Sequence, residues 1–330
     1  MKYLRLLRFQ NLLIVAATQY LLLYCIIMPY IQYFYAPLLI PYNLKLELQF
    51  SDFNFFLLSL STVLITAAGY VINDYFDRKT DFYNRPKKVI IGIHVSTRAA
   101  MAIHWIFTSI GVLLGFYVSY KIGFFNLGII FAIVSISLWF YSTNFNSQFL
   151  VGNLLIALLT ALVPLFASVF QIIPLNKVYA LHLEAINLSF HKIIVWTLGY
   201  AIFAFIVTLI REIVKDMEDM EGDSTIGRSS LPIVLGMKAT KSIVLSLISL
   251  TIVALYIALN TFIESELHAT FISFIYFTLA VVLPLCGAAF WVFKAQTAKA
   301  FRNASHLLKI VMVGGILFMI IVKLAISGII

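Results

Sequence analysis

Nine of the 14 acidic residues in this 330-residue chain fall in two short segments. The first runs Asn73-Asp74-Tyr75-Phe76-Asp77-Arg78-Lys79-Thr80-Asp81. The second runs Lys215-Asp216-Met217-Glu218-Asp219-Met220-Glu221-Gly222-Asp223, with Glu212 just ahead of it. Both carry the spacing D-x-x-D-x-x-x-D. At about 100° per residue, positions i, i+3 and i+7 fall within about 60° on one helical face, so each segment offers a stripe of three carboxylates. Two carboxylates about 6 Å apart repel by about 3 kcal/mol at an effective dielectric near 20, and six gathered together demand divalent cations. Hard oxygen ligands select Mg²⁺ or Ca²⁺, and Mg²⁺ commonly bridges a few carboxylates to substrate phosphates. The nearby Lys and Arg suit an anion held between the metals, and a diphosphate is the natural candidate. A lone acidic loop is ordinarily just solvated; repetition of the spacing argues against that here.

What must position these stripes is a membrane bundle. The chain is 62% hydrophobic and 11% charged, against about 45–50% and about 25% in a soluble domain. Such a chain has too little polar surface to cover a water-facing globule. Crossing the hydrocarbon takes about 20 apolar residues, and nine such runs are present. They are Gln10–Ile31, Phe53–Ile72, Ala99–Tyr120, Phe124–Tyr141, Phe149–Ile173, Ile193–Ile210, Ser242–Ile263, Ala269–Phe293 and Leu307–Ile326. Pro29, Pro37 and Pro41 are expected to end the first helix, leaving an interfacial segment after it. Lys309 and Lys323 would have to snorkel from the last span. Cys25 and Cys286 sit in apolar runs and read as packing residues. No separate soluble unit is visible, so residues 1–330 read as one polytopic domain.

The basic residues orient it. With the N-terminus inside, 18 of the 23 Lys and Arg fall on the cytoplasmic side, which accounts for the net charge of +9 without any nucleic acid. Four spans separate the two acidic stripes, and an even number returns the chain to the same face. Both stripes are therefore expected at the cytoplasmic surface of a plasma or inner membrane, as in a parallel internal repeat.

The stretch Gly69 to Asp77, with Asp81 and Asn84-Arg85-Pro86, resembles the first aspartate motif of the UbiA-type intramembrane prenyltransferases. Lys215 to Asp223, followed by Gly227 and Leu231-Pro232, is similar to their second motif, and Arg5 to Asn11 resembles the start of their first helix. The resemblance implies an all-α bundle of nine transmembrane helices around a central cavity open sideways to lipid. It implies Mg²⁺-dependent transfer of a polyprenyl group from its diphosphate to a lipid or aromatic acceptor. Carried over residue by residue, Asn73, Asp74, Asp77 and Asp81 would hold one Mg²⁺ and Asp216, Asp219 and Asp223 the other. Asp74, Asp77, Asp216 and Asp219 would be the catalytic core. Arg85, Lys87, Lys215 and Arg228 would face the diphosphate, Arg8 and Asn11 would line the pocket near its headgroup, and Tyr141 and Asn153 match further substrate positions. Tyr70, Tyr75 and Tyr141, close to the motifs, are candidates to steady an allylic cation. Many relatives carry a basic residue soon after the tyrosine that corresponds to Tyr141; residues 142–152 here contain none.

The Glu before the middle Asp of the second motif and its Glu-Gly-Asp ending most resemble family members that prenylate geranylgeranylglyceryl phosphate. An aromatic quinone precursor such as 4-hydroxybenzoate is the alternative acceptor. A transporter would also place ionisable residues at a repeat interface, but here the acids lie at span ends on one side.

Overall fold

The computed structural model describes residues 2–84, 89–263 and 270–329. Among them are nine helices long and apolar enough to cross a membrane, here labelled α1 to α9. They are α1 Phe9–Tyr42, α2 Asp52–Phe76, α3 Thr97–Lys121, α4 Phe125–Thr143, α5 Val151–Glu184, α6 His191–Thr225, α7 Met237–Thr261, α8 Phe271–Lys294 and α9 Ala298–Ile326. The nine apolar runs and the helices coincide. A helix is the expected answer for each, because only internal pairing satisfies backbone N–H and C=O groups in hydrocarbon. Hydroxyls inside the spans follow the same rule, with Thr62, Thr66, Ser119, Ser135 and Thr160 each donating to the carbonyl four residues earlier.

The expected break in α1 is not found. The helix runs through Pro29 and Pro37 to Leu39, with π-helical turns at Leu23–Ile27 and Tyr30–Tyr35 and a closing 3₁₀ turn at Ile40–Tyr42. A proline ring collides with the carbonyl four residues back. Widening the turn to an i→i−5 pattern relieves that collision and lets the helix continue.

Six helices, α1, α2, α4, α5, α6 and α9, surround a central cavity. Outside them α3 packs on α2 and α4, while α7 and α8 pack against α6 and α9. Small residues permit the close approaches. A Cβ at Gly115 of α3 would stand 2.4 Å from the Phe131 ring of α4, and one at Gly314 of α9 would stand 2.3 Å from the Ala280 carbonyl of α8. His104 of α3, buried, bonds the Ala68 carbonyl of α2 at 3.0 Å, a helix-to-helix tie.

Length decides where the motifs fall. At 1.5 Å per residue, the 35 residues of α6 span about 52 Å, well beyond the roughly 30 Å hydrocarbon core. Its last turns, Lys215 to Asp223, therefore project past the apolar layer as unbroken helix. The first motif straddles the end of α2: Asp74 lies in the helix, Asp77 at its C-cap, and Asp81 in a short helix Arg78–Asn84. The Asp81 amide still bonds the Asp77 carbonyl at 2.8 Å, so the helical register is kept across the junction.

Candidate active site

Asp74, Asp77, Asp216 and Asp223 are each held by a cation or an amide. Arg8, at the N-cap of α1, reaches Asp74 at 2.7 Å and lies 4.8 Å over the Tyr70 ring. Arg8 has φ 50°, a left-handed conformation that turns the chain between the Lys2–Leu6 helix and α1. Asn73 donates to Asp77 at 2.8 Å, and Asn146 donates to the other oxygen of Asp77 at 3.1 Å. Arg228 bridges the two motifs, donating to Asp77 of the first and, at 3.4 Å, to Asp223 of the second. Asp216 accepts from Asn153 at 2.7 Å. The backbone N–H of Ser229 bonds the Ser147 carbonyl at 2.9 Å, tying the loop that carries Arg228 to the one that carries Asn146.

Among the described residues no three acidic side chains are already clustered as a metal site. Arg8, Arg228 and the three asparagines Asn73, Asn146 and Asn153 stand among them instead. Burial would lower the proton affinity of both guanidiniums, but Asp74 around Arg8 and Asp77 and Asp223 around Arg228 outweigh it, and both pKa values rise. The donor set nonetheless fits a hard divalent cation. It is all oxygen, it draws on both motifs, and Asp77 and Asp223 already converge on one guanidinium. Asp81 and Asp219 stand half-buried on the same two motif segments.

Just inside the motifs lies a cavity of about 210 Å³. Its polar mouth is formed by Arg8, Asn11, Asn73, Tyr141, Arg211, Glu212 and Lys215. Its inner walls are apolar, including Val15, Ile65, Val163 and the stacked rings of Phe131 and Phe166, whose centroids are 4.8 Å apart. Asn11 donates to the Tyr70 hydroxyl at 3.3 Å, so two of the polar wall residues fix each other. Glu212, buried in the wall, accepts from Lys215 at 2.6 Å and from Arg211 at 2.9 Å.

Against the sequence expectations, the structure brings Arg8, Asn11, Asn73, Tyr141 and Lys215 to the cavity and gathers Asp74, Asp77, Asp223 and Arg228 beside it. It sets Asn153 on Asp216. Arg85 and Lys87 lie outside the described residues. Of the three tyrosines, Tyr70 and Tyr141 line the cavity, whereas Tyr75 faces the Arg78 guanidinium at 4.8 Å and packs with the Leu6 and Val71 cluster. Glu218 is not simply solvated, since Arg302 of α9 holds it at 2.8 Å. Three site residues had no signal of their own: Asn146, which serves Asp77 from the loop that lacks a basic residue, and Arg211 and Lys309, which line the cavity from α6 and α9.

A polar-mouthed cavity with apolar inner walls, beside two aspartate motifs in a bundle of membrane-spanning helices, marks an integral membrane enzyme. A model of the UbiA prenyltransferase family matches residues 34–313. The digeranylgeranylglyceryl phosphate synthase of Methanothermobacter thermautotrophicus is 32% identical over 262 residues, 78% of this chain and 81% of that protein. The synthase of the same name from Pyrococcus furiosus is 32% identical over 193 residues, and there the chain spans 60% of its relative's length. A solved digeranylgeranylglyceryl phosphate synthase shares the fold with a TM-score of 0.60 at 22% identity, over 98% of this chain and 97% of that one. A UbiA homologue from Archaeoglobus fulgidus, solved with DMAPP and Mg²⁺ bound, aligns over 100% of both chains with a TM-score of 0.52 at 16% identity. The chain belongs to the UbiA prenyltransferase family, and it is an integral, multi-pass membrane protein.

Proposed function

We propose that residues 1–330 act as a single domain that transfers a geranylgeranyl-type chain from its diphosphate to geranylgeranylglyceryl phosphate. The observation that carries this reading is the second motif, Lys215 to Asp223, whose form is that of the glycerophosphate-prenylating members, in a chain similar to proteins of that name over most of its length. In the reaction the allylic C–O bond to diphosphate breaks, an ether bond to a glycerol hydroxyl forms, and the hydroxyl proton is released.

Asn73, Asp74, Asp77 and Asp81 would hold one Mg²⁺ and Asp216, Asp219 and Asp223 the other, and the pair would supply positive charge to the diphosphate leaving group. Lys215 and Arg228, together with Arg85 and Lys87, supply further positive charge to its oxygens. Arg8, Asn11 and Asn73 fix the headgroup end, and the Arg8 ion pair keeps Asp74 aimed at it. The apolar walls around Phe131 and Phe166 take the hydrocarbon chain and keep water from the allylic centre. Tyr141 and Tyr70, which line the cavity, would steady the developing positive charge, each able to contribute roughly 0.5–2 kcal/mol. With 18 basic residues counted on the motif side, this face is cytoplasmic.

Purified protein supplied with Mg²⁺, geranylgeranyl diphosphate and both acceptors in one vessel should yield the ether-linked product by mass spectrometry. Exclusive prenylation of 4-hydroxybenzoate would move the assignment to the quinone branch of the family.

A further inference from the structure

Two cations of the cavity wall are incompletely partnered. Arg8 is met by Asp74, and Arg228 by Asp77 and Asp223. On the wall where α6 meets α9, Lys215 and Arg211 both bind Glu212, while the ammonium of Lys309 reaches the neutral amide of Gln10 at a long 3.4 Å. The Nε of Arg211 is buried with no hydrogen-bond partner. Arg211 and Lys309 stand close enough to act on each other's charge, and both line the cavity. A guanidinium N–H left without a partner and an ammonium with only a long contact, both beside apolar walls, invite an anion.

The placement separates this wall from the motifs. Arg211 lies five residues before Asp216 on α6, so it stands about 7.5 Å deeper along the helix axis. Lys309, bridging to Gln10, sits on the seam between α9 and α1. A guanidinium and an ammonium facing one opening suit a phosphate monoester, which carries about −1.5 to −2 near neutral pH and several acceptor oxygens for both.

We infer that Arg211 and Lys309 form a second anion site, distinct from the diphosphate end, that binds the phosphate of the acceptor and orients its glycerol hydroxyl toward the allylic carbon. The inference rests on the function proposed above, and it makes these two residues the ones that select a phosphorylated acceptor.

The test uses full-length protein in nanodiscs, with Arg211→Gln, Lys309→Gln and the double variant. Each single variant should raise KM for geranylgeranylglyceryl phosphate about tenfold, and the double variant further, while KM for geranylgeranyl diphosphate stays within about twofold in Lys309→Gln and helical circular dichroism certifies the fold of all three. For dephosphorylated geranylgeranylglycerol, wild type should be as poor as the double variant. A rise in the diphosphate KM instead, or equal wild-type use of the two acceptors, overturns the site. A donor-free readout separates this from failure of the functional reading. Thermal stabilisation by geranylgeranylglyceryl phosphate that is lost in the variants supports the site even if no ether product forms. Stabilisation that the variants retain overturns it.

Discussion

Arg228 occupies the position where the two aspartate motifs meet, and replacing it with Gln should have opposite effects on metal and on substrate. Its guanidinium is 16% exposed, as is Asp77, and Asp223 is 5% exposed. A hydrogen bond to a charged partner contributes about 1.5–3 kcal/mol net. The bond to Asp77 falls in that class, while the 3.4 Å contact to Asp223 adds less than about 1 kcal/mol. A divalent cation that takes Asp77 must therefore displace roughly 2–4 kcal/mol of existing interaction. Part of this is regained as Arg228 turns to water or to the diphosphate. At about 1.4 kcal/mol per tenfold, Arg228→Gln should bind Mn²⁺ alone about 10- to 100-fold more tightly than wild type. The same variant loses a partner for the diphosphate, so KM for geranylgeranyl diphosphate should rise about tenfold. Free Mn²⁺ counted by electron paramagnetic resonance during titration gives the first quantity, and steady-state kinetics the second. If the variant binds Mn²⁺ no more tightly than wild type, Asp77 is not a metal ligand and the two-motif reasoning is refuted.

Asp74→Asn and Asp216→Asn should each abolish Mg²⁺-dependent turnover while detergent-solubilised protein keeps its helical circular dichroism; near-normal activity in either would reject one half of the site. For orientation, a cysteine replacing exposed Ser224 should be shielded from an impermeant thiol reagent in intact cells, whereas one replacing exposed Glu184 should react; labelling of the first from outside would reverse the topology. Gly314→Ala places a methyl 2.3 Å from a backbone carbonyl that cannot rotate away, so α8 and α9 must part, at about 1–3 kcal/mol. A lowered melting temperature in detergent is expected, and an unchanged one would mean the helices are looser than their packing indicates.

Spans and motifs were legible because each is a property of one helix. Apolar run length sets the number of crossings, and the i, i+3, i+7 spacing of Asp216, Asp219 and Asp223 survives intact in α6. The expected end of α1 failed because proline chemistry forbids the α turn and leaves the π turn open. The partner of each aspartate was not legible. Periodicity records which face a residue shares with its own neighbours, but Asn146 reaches Asp77 across 69 positions and Arg228 reaches it across 151. Nothing local marks Lys309 as a cavity residue either, since in α9 alone it reads only as a cation that must snorkel. Tyr75 shows the converse error: its nearness to Asp74 in sequence suggested the cavity, yet one residue's step on a helix turns a side chain by about 100°.

The order in which these parts leave the ribosome gives the Arg8–Asp74 pair a further meaning. Asp74 is synthesised 142 residues before Asp216 and 154 before Arg228. At about 5–20 residues per second, the first half of the site waits roughly 7–30 s in the bilayer before its counterpart exists. Through that interval Asp74 already has its counter-ion, because Arg8 has been made first and lies on the neighbouring helix. The nascent protein thus carries a neutralised half-site through insertion, and the motif that completes it arrives with its own arginine a few residues behind.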